Sequence, residues 1–220
     1  MMGAMDYPVS VTIEPTLTNR NRLTTGFRFF LAIPHIILVG GVGIGAAYSG
    51  TDKKTSFGGE AGLLGAVAWF LAIVSWFTIV FTGQHITGIR QFMTFYLRWR
   101  VRALSYLMLL EDQYPPFGDG PYPASLEIVD PAGPRDRVTV GFRLILAIPQ
   151  LIVVACLVVV WWVTAMIGWV LIVFTGEYPE GLYKFGVGTL RWMLRVEAYM
   201  LLMVDVYPPF SFDMDPDGQP

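Results

Sequence analysis

"GFRFFLAIP" fills residues 26–34, and "GFRLILAIP" fills residues 141–149. An arginine opens each apolar run and a proline closes it. Working outward, residues 20–34 align without a gap to 135–149, with 10 of 15 positions identical. Tyr7-Pro8 recurs as Tyr122-Pro123, "IVFTG" at 79–83 recurs at 172–176, and "YPPF" ends both copies, at 114–117 and 207–210. Trp69 and Trp76 match Trp162 and Trp169, and Arg98-Trp99 matches Arg191-Trp192. The offset is 115 early and 93 late, so the first copy carries 22 extra residues around 40–62. The chain reads as a tandem repeat of one unit, 7–117 and 122–210, with a flexible tail expected at 211–220.

Each unit reads alike. Alternating Val9, Val11 and Ile13, or Leu126 and Ile128, predict a short strand. A polar R-x-R turn follows, then two apolar runs, then a long amphipathic segment stopped by the double proline. Gly83 and Gly176 suit the left-handed position just past a helix end.

Of the 220 residues 54% are apolar and only 15% charged, with net charge −2; mean hydropathy is +0.53. A soluble domain carries about 25% charge, so this composition points to a lipid bilayer, and the net charge argues against nucleic acid. The single Cys156 excludes an intramolecular disulfide and a cysteine metal cluster. The N-terminus lacks the basic and apolar regions of a secretory signal peptide.

The expected fold is mainly α: an integral membrane protein with four transmembrane helices in two parallel repeats, interfacial amphipathic helices and short β-strands. Helices are expected at about 24–47 and 61–83. Residues 138–176 must then hold a hairpin turning near 159–162, either fully spanning or re-entrant, since two spans of ~20 residues fill that length. Thirteen of the 15 Lys and Arg precede the first helix, join the units or follow the last helix. The positive-inside rule therefore predicts a plasma (inner) membrane protein with both termini cytoplasmic and a pseudo-twofold axis along the membrane normal.

Arg28 and Arg143 lie about one turn inside their helices. They read as snorkelling interface anchors, or as ligands for a lipid phosphate or an acidic residue across the pseudo-twofold. Pro34 and Pro149 predict helix kinks. His35, beside Pro34, reads as a hydrogen-bonding residue at a helix contact, with Gln150 as its counterpart. Gly41 and Gly45 offer a close-packing pair. Arg98, Arg102, Arg191 and Arg195 stripe the amphipathic segments and predict contact with anionic lipid headgroups, with internal pairing to Asp112 and Asp205 as the alternative.

Tyr7-Pro8, the run 20–34, "FTG" at 81–83, Arg98-Trp99 and "YPPF" at 114–117, with their second-copy partners, resemble an uncharacterised family of bacterial integral membrane proteins, a domain of unknown function. The resemblance runs from about 7 to 210 and implies a membrane protein without naming an activity. No cofactor, metal or catalytic set is expected. The function expected is a non-catalytic accessory or lipid-organising part of a membrane assembly, with protein partners. A transporter or channel subunit for an anionic or lipid substrate between the repeats is the alternative, and a lipid-modifying enzyme using Asp112, Asp205 or Glu177 the weakest reading.

Overall fold

The computed structural model describes residues 7–43, 61–131, 133 and 135–212. The elements run β1 (Val9–Ile13), α1 (Arg22–Gly26), α2 (Arg28–Val39), α3 (Gly62–Thr82), α4 (Thr87–Leu107), β2 (Ala124–Ile128), α5 (Arg137–Gly141), α6 (Arg143–Thr175) and α7 (Glu180–Met200). The chain is mainly helical.

The predicted hairpin at 138–176 is not formed. Residues 143–175 make one helix of 33 residues, with Val159, Val160, Trp161 and Trp162 inside it. No breaker interrupts that run except Pro149, which the helix accommodates. Among the described residues two helices, α3 and α6, are long and apolar enough to cross a membrane, with mean hydropathy 2.2 and 2.8, rather than the four expected. The predicted end of the first helix at 44–47, together with Gly45, lies outside the described residues. So does most of the predicted tail, 213–220.

In the first unit the same rod is cut by the 22-residue insertion. Gly62, at φ +69°, starts α3 directly against Leu38 and Gly40, where a Cβ would strike backbone atoms at 2.4–2.7 Å. The end of α2 therefore meets the start of α3. Helix α4 runs antiparallel beside them: Tyr106 meets Arg28, Trp99 meets His35, and Tyr96 meets Gly65. The chain joins α3 to α4 through only four residues, 83–86, so the far end of α3 lies at the start of α4, away from Arg28. Thus α2 and α3 extend end to end, as the halves of α6 do.

The two rods run in opposite directions. Arg20 N donates to Gly176 O at 3.0 Å, and Arg135 N donates to Gly83 O at 3.0 Å. Trp169 Nε1 donates to Thr25 O at 2.9 Å and Trp76 Nε1 to Val140 O at 3.0 Å. The start of each rod therefore docks on the end of the other. The expected parallel repeat assumed two spans per unit; with one long rod per unit, the two are antiparallel.

Three layers result. The rods form one face. In the middle, α4 and α7 pack against them, and their C-terminal halves are buried on nearly all sides. On the far face β1 and β2 pair antiparallel in the register Val11↔Leu126. Val9, Val11, Ile13, Ala124 and Leu126 point inward, while Thr12, Glu14, Ser125 and Glu127 face out.

The rods are inside-out compared with helices of a water-soluble protein. Along α6 the buried stripe is Arg143, Ala147, Gln150, Val154, Trp161, Ala165, Gly168 and Ile172, at spacings of three, four and seven. Leu144, Ile145, Leu146, Ile148, Ile152, Val163, Met166, Ile167 and Val170 are exposed. On α3 the buried stripe is Gly65, Ala68, Ala72, Ser75 and Ile79, with Val67, Phe70, Ile73 and Phe77 outside. Polar side chains point into the protein and apolar ones out, the pattern of a large interaction face.

Candidate functional site

The arginines of the repeated motif lead inward. Arg28 and Arg143 are only 1% and 2% exposed. Arg28 Nη1 donates to Tyr106 O at 3.2 Å and Glu111 O at 2.8 Å, and Nη2 pairs with Asp112. Arg143 repeats this on Tyr199 O and Val204 O, both at 2.9 Å, and pairs with Asp205 at 2.9 Å. Each guanidinium also lies over a tyrosine ring, 4.7 Å from Tyr106 or 4.3 Å from Tyr199. The placement differs from the expected headgroup contact, and the carboxylate belongs to the same repeat rather than to the other.

A second arginine completes each cluster. Arg20 donates to Leu109 O and Leu110 O and pairs with Asp112 at 2.9 Å. Arg135 donates to Leu202 O and Met203 O and pairs with Asp205 at 2.7 Å. The accepting carbonyls are those left open where α4 and α7 end, and Leu109 and Leu202 sit there at φ 67° and 62°. Two cations on the negative end of a helix satisfy orphan carbonyls and the helix dipole together. The R-x-R turn and the F-R pair thus cap a helix twenty or more residues long. Asp112 Oδ2 also accepts from Asn21 N at 2.9 Å, tying in the start of α1.

The remaining predicted arginines divide. Arg98 is exposed and its Nε donates to Leu126 O at 3.3 Å; Arg191 Nε, buried, donates to Val11 O at 2.8 Å. Both clasp the sheet. Arg102 donates to Gly118 O at 2.8 Å and lies 3.6 Å from Asp119. Arg195 lies over the ring of Tyr7, 5.7 Å from its centroid. Of these four, only Arg98 is exposed. The amphipathic segments pack between rods and sheet instead of lying open at an interface, because their apolar and aromatic residues ring the helix. Pro34 and Pro149 sit inside α2 and α6.

His35 Nδ1 accepts from Trp99 Nε1 at 3.0 Å, which leaves the ring proton on Nε2. Gln150 takes the same part in the second copy: its Oε1 accepts from Trp192 Nε1 at 2.8 Å and its Nε2 donates to Pro208 O at 2.5 Å. Phe117 of the first "YPPF" stacks on the imidazole at 4.5 Å. Among the described residues no group of three or more His, Cys, Asp or Glu could hold a metal.

Three further features stand out. The first is a fully buried ion pair joining the copies: Arg100 Nε donates to Glu197 Oε2 at 2.8 Å, and Tyr96 Oη donates to Oε1 at 3.0 Å. Arg100 also donates to Val39 O and Gly43 O, at the edge of the insertion. Its signal was departure from the repeat, since the counterparts are Met193 and Leu104. The second is Glu111, 2% exposed, which accepts from Thr16 Oγ1 at 3.4 Å. Burial pushes its carboxyl up to about 7. The third is an apolar cavity of about 290 Å³ between the copies, walled by Phe29 and Phe30 of α2, Leu107 and Met108, and Trp162 and Trp169 of α6, with Arg28 behind.

Fold and site together define an internally duplicated helical protein with two outward-facing apolar rods and an ion-paired interior. A family model described as "Domain of unknown function (DUF4389)" matches residues 58–118 and 137–211, and the chain belongs to this family. One matched segment falls in each repeat, the first covering only its second half. No curated protein and no solved structure matches the chain.

Proposed function

We propose that the chain is a non-catalytic component of a plasma (inner) membrane, an accessory or lipid-organising part of a larger assembly. The observation that supports this reading is the inverted polarity of the rods. Along α2, α3 and α6 the only charged side chains are Arg28 and Arg143, both turned inward. Water does not tolerate that much continuous apolar surface on a monomer, whereas acyl chains do. The buried arginines fit a structural role. The Nη1 and Nη2 groups of both are engaged by Asp112, Asp205 and helix-end carbonyls, so these arginines hold the fold.

A second reading, movement of a lipid or an anionic substrate, draws on the cavity between the copies. Its apolar walls suit an acyl chain; Arg28, already paired, suits an anion poorly.

The test is fractionation. The protein should sediment with membranes, resist an alkaline carbonate wash and float with liposomes. Native mass spectrometry in mild detergent should then retain lipid or a stoichiometric protein partner. Recovery as a detergent-free, lipid-free soluble monomer overturns the proposal. Loss of flux in proteoliposomes on changing Arg28→Gln and Arg143→Gln, with the fold retained, would favour transport instead.

A further inference from the structure

Resting on the membrane reading above, we infer that the molecule lies flat in one leaflet. Its two rods run parallel to the membrane plane, and the β1–β2 face points to water. The interaction surface is the exposed side of α2, α3 and α6, and its partner is a single phospholipid leaflet.

The ends of the rods carry the argument. At one end lie Arg20, Arg22 and Glu177, joined through Arg20 N to Gly176 O and Arg22 Nη2 to Thr175 O at 2.9 Å. At the other lie Arg135, Arg137 and Gln84, with Arg135 N on Gly83 O and Arg137 against Gly83. The two ends are equivalent under the repeat, and both are polar. An upright molecule would put one on each side of the membrane, dividing its basic residues evenly against the positive-inside bias. A molecule lying flat puts both on one side.

Length agrees. A helix of 33 residues is about 50 Å long, against a hydrocarbon core of about 30 Å. Fitting it upright needs a tilt of roughly 50°, beyond the roughly 0–40° that membrane helices adopt. The sheet agrees as well. Arg98 and Arg191, near the middles of α4 and α7, hold its strands, so exposed Glu127 and Thr12 lie over the middle of the body. Upright, that carboxylate would face hydrocarbon, a costly position for a charge; lying flat, it faces water. The insertion also leaves from the right side. Val39 O and Gly43 O, before the insertion, are gripped by Arg100 of α4, so these carbonyls face the interior layer and not the apolar face.

The occupant is lipid rather than a second copy. Leu144, Ile145 and Leu146 are consecutive and all exposed, and three successive helical residues sweep more than half a turn. A docked copy covers one side of such a rod, while acyl chains follow the whole exposed arc.

The test uses Gln84→Cys with Glu177→Cys, exposed equivalent positions at opposite ends, in a Cys156→Ser background. The full chain is reconstituted in sealed vesicles of phosphatidylcholine with a minority of phosphatidylglycerol. A membrane-impermeant maleimide is added outside, and mass spectrometry counts labels per chain. A flat molecule takes two labels or none, according to the leaflet it occupies. An upright molecule takes one label in either orientation, and a population of singly labelled chains overturns the inference. Polarised infrared spectroscopy of the wild-type protein in oriented bilayers gives an independent reading, with helix axes expected in the membrane plane; axes near the normal overturn it. Failure to float with the vesicles at all, or a soluble oligomer without detergent, removes the membrane reading itself and is distinct from either labelling result.

Discussion

The Arg100–Glu197 pair is the sharpest test of how the copies are joined, because the repeat supplies its own replacement. Glu197→Leu installs the residue found at the counterpart Leu104. It leaves Arg100, with no side-chain exposure, opposite no carboxylate, and strips Tyr96 Oη of its acceptor. Removing one partner of a buried pair costs about 3–5 kcal/mol, which for a chain of this size lowers Tm by roughly 6–20 °C. Arg100→Met installs the counterpart Met193. In the double variant the desolvation penalty of both ions disappears, and replacing such a pair by apolar residues is neutral or stabilising by about 1–4 kcal/mol. Against that stand the donors lost to Val39 O and Gly43 O, at about 1 kcal/mol each. The double variant should therefore lie within about 2 kcal/mol of wild type, well above Glu197→Leu alone. Thermal unfolding of all four proteins in one detergent, followed by circular dichroism, completes the double-mutant cycle. A double variant as unstable as Glu197→Leu would show that the interface needs the charges themselves and would refute the reasoning.

Asp112→Asn and Asp205→Asn should each destabilise by about 3 kcal/mol or more, since each removes the carboxylate paired with two buried arginines; a loss well under about 1 kcal/mol in thermal unfolding for either would argue against these clusters holding the fold. Glu111, faced by Arg20, Asp112, Glu14 and Thr16, holds its proton up to about pH 7 when folded and only to its ordinary value of 4.5 when unfolded. Its folded form is thus uncharged and unpenalised below pH 4.5, and its burial cost grows as pH rises from there to 7, reaching about 3 kcal/mol. Glu111→Gln should stabilise the protein at about pH 8 and not at about pH 4, and equal Tm shifts at both would contradict the assignment. Replacing residues 40–62 by a single alanine, the residue at the aligned position 155, should fuse α2 to α3 as one rod with the fold retained; loss of the cooperative melt would show that the two helices are not end to end.

Much of the architecture could be read from residues. The alternation at Val9, Val11 and Ile13 is the strand observed. Gly83 and Gly176 end their helices at φ 74° and 78°, and the amphipathic segments are α4 and α7. The residues left the direction of the arginines open, between outward anchors and inward ligands of a phosphate or an acidic residue. An arginine one turn inside an apolar helix reads as a snorkelling anchor when only its own helix is considered. What turns Arg28 and Arg143 inward is the end of a helix 78 or 56 residues later, with open carbonyls and an aspartate at the one place they can reach. Arg20 and Arg135 read as turn residues for the same reason.

The expected hairpin fails for a physical reason. Hydropathy measures the transfer of each residue from water and carries no information about chain direction, so the apolar run at 138–176 fits two short helices or one long one equally well. Only a breaker decides, and the second copy offers none at 159–162, where Val159, Val160, Trp161 and Trp162 are all acceptable in a helix. The first copy points the wrong way because its insertion looks like the loop of a hairpin. An insertion can also interrupt a rod whose two ends stay in register, provided something holds the broken ends together. Here Gly62 lets α3 approach Leu38 and Gly40 without a side chain between them, and Arg100 satisfies carbonyls at the break. That arginine and its partner Glu197 are among the positions where the copies differ, and Arg100 is the one that reaches the broken rod, so this departure from symmetry in α4 and α7 answers the departure in the rod they support.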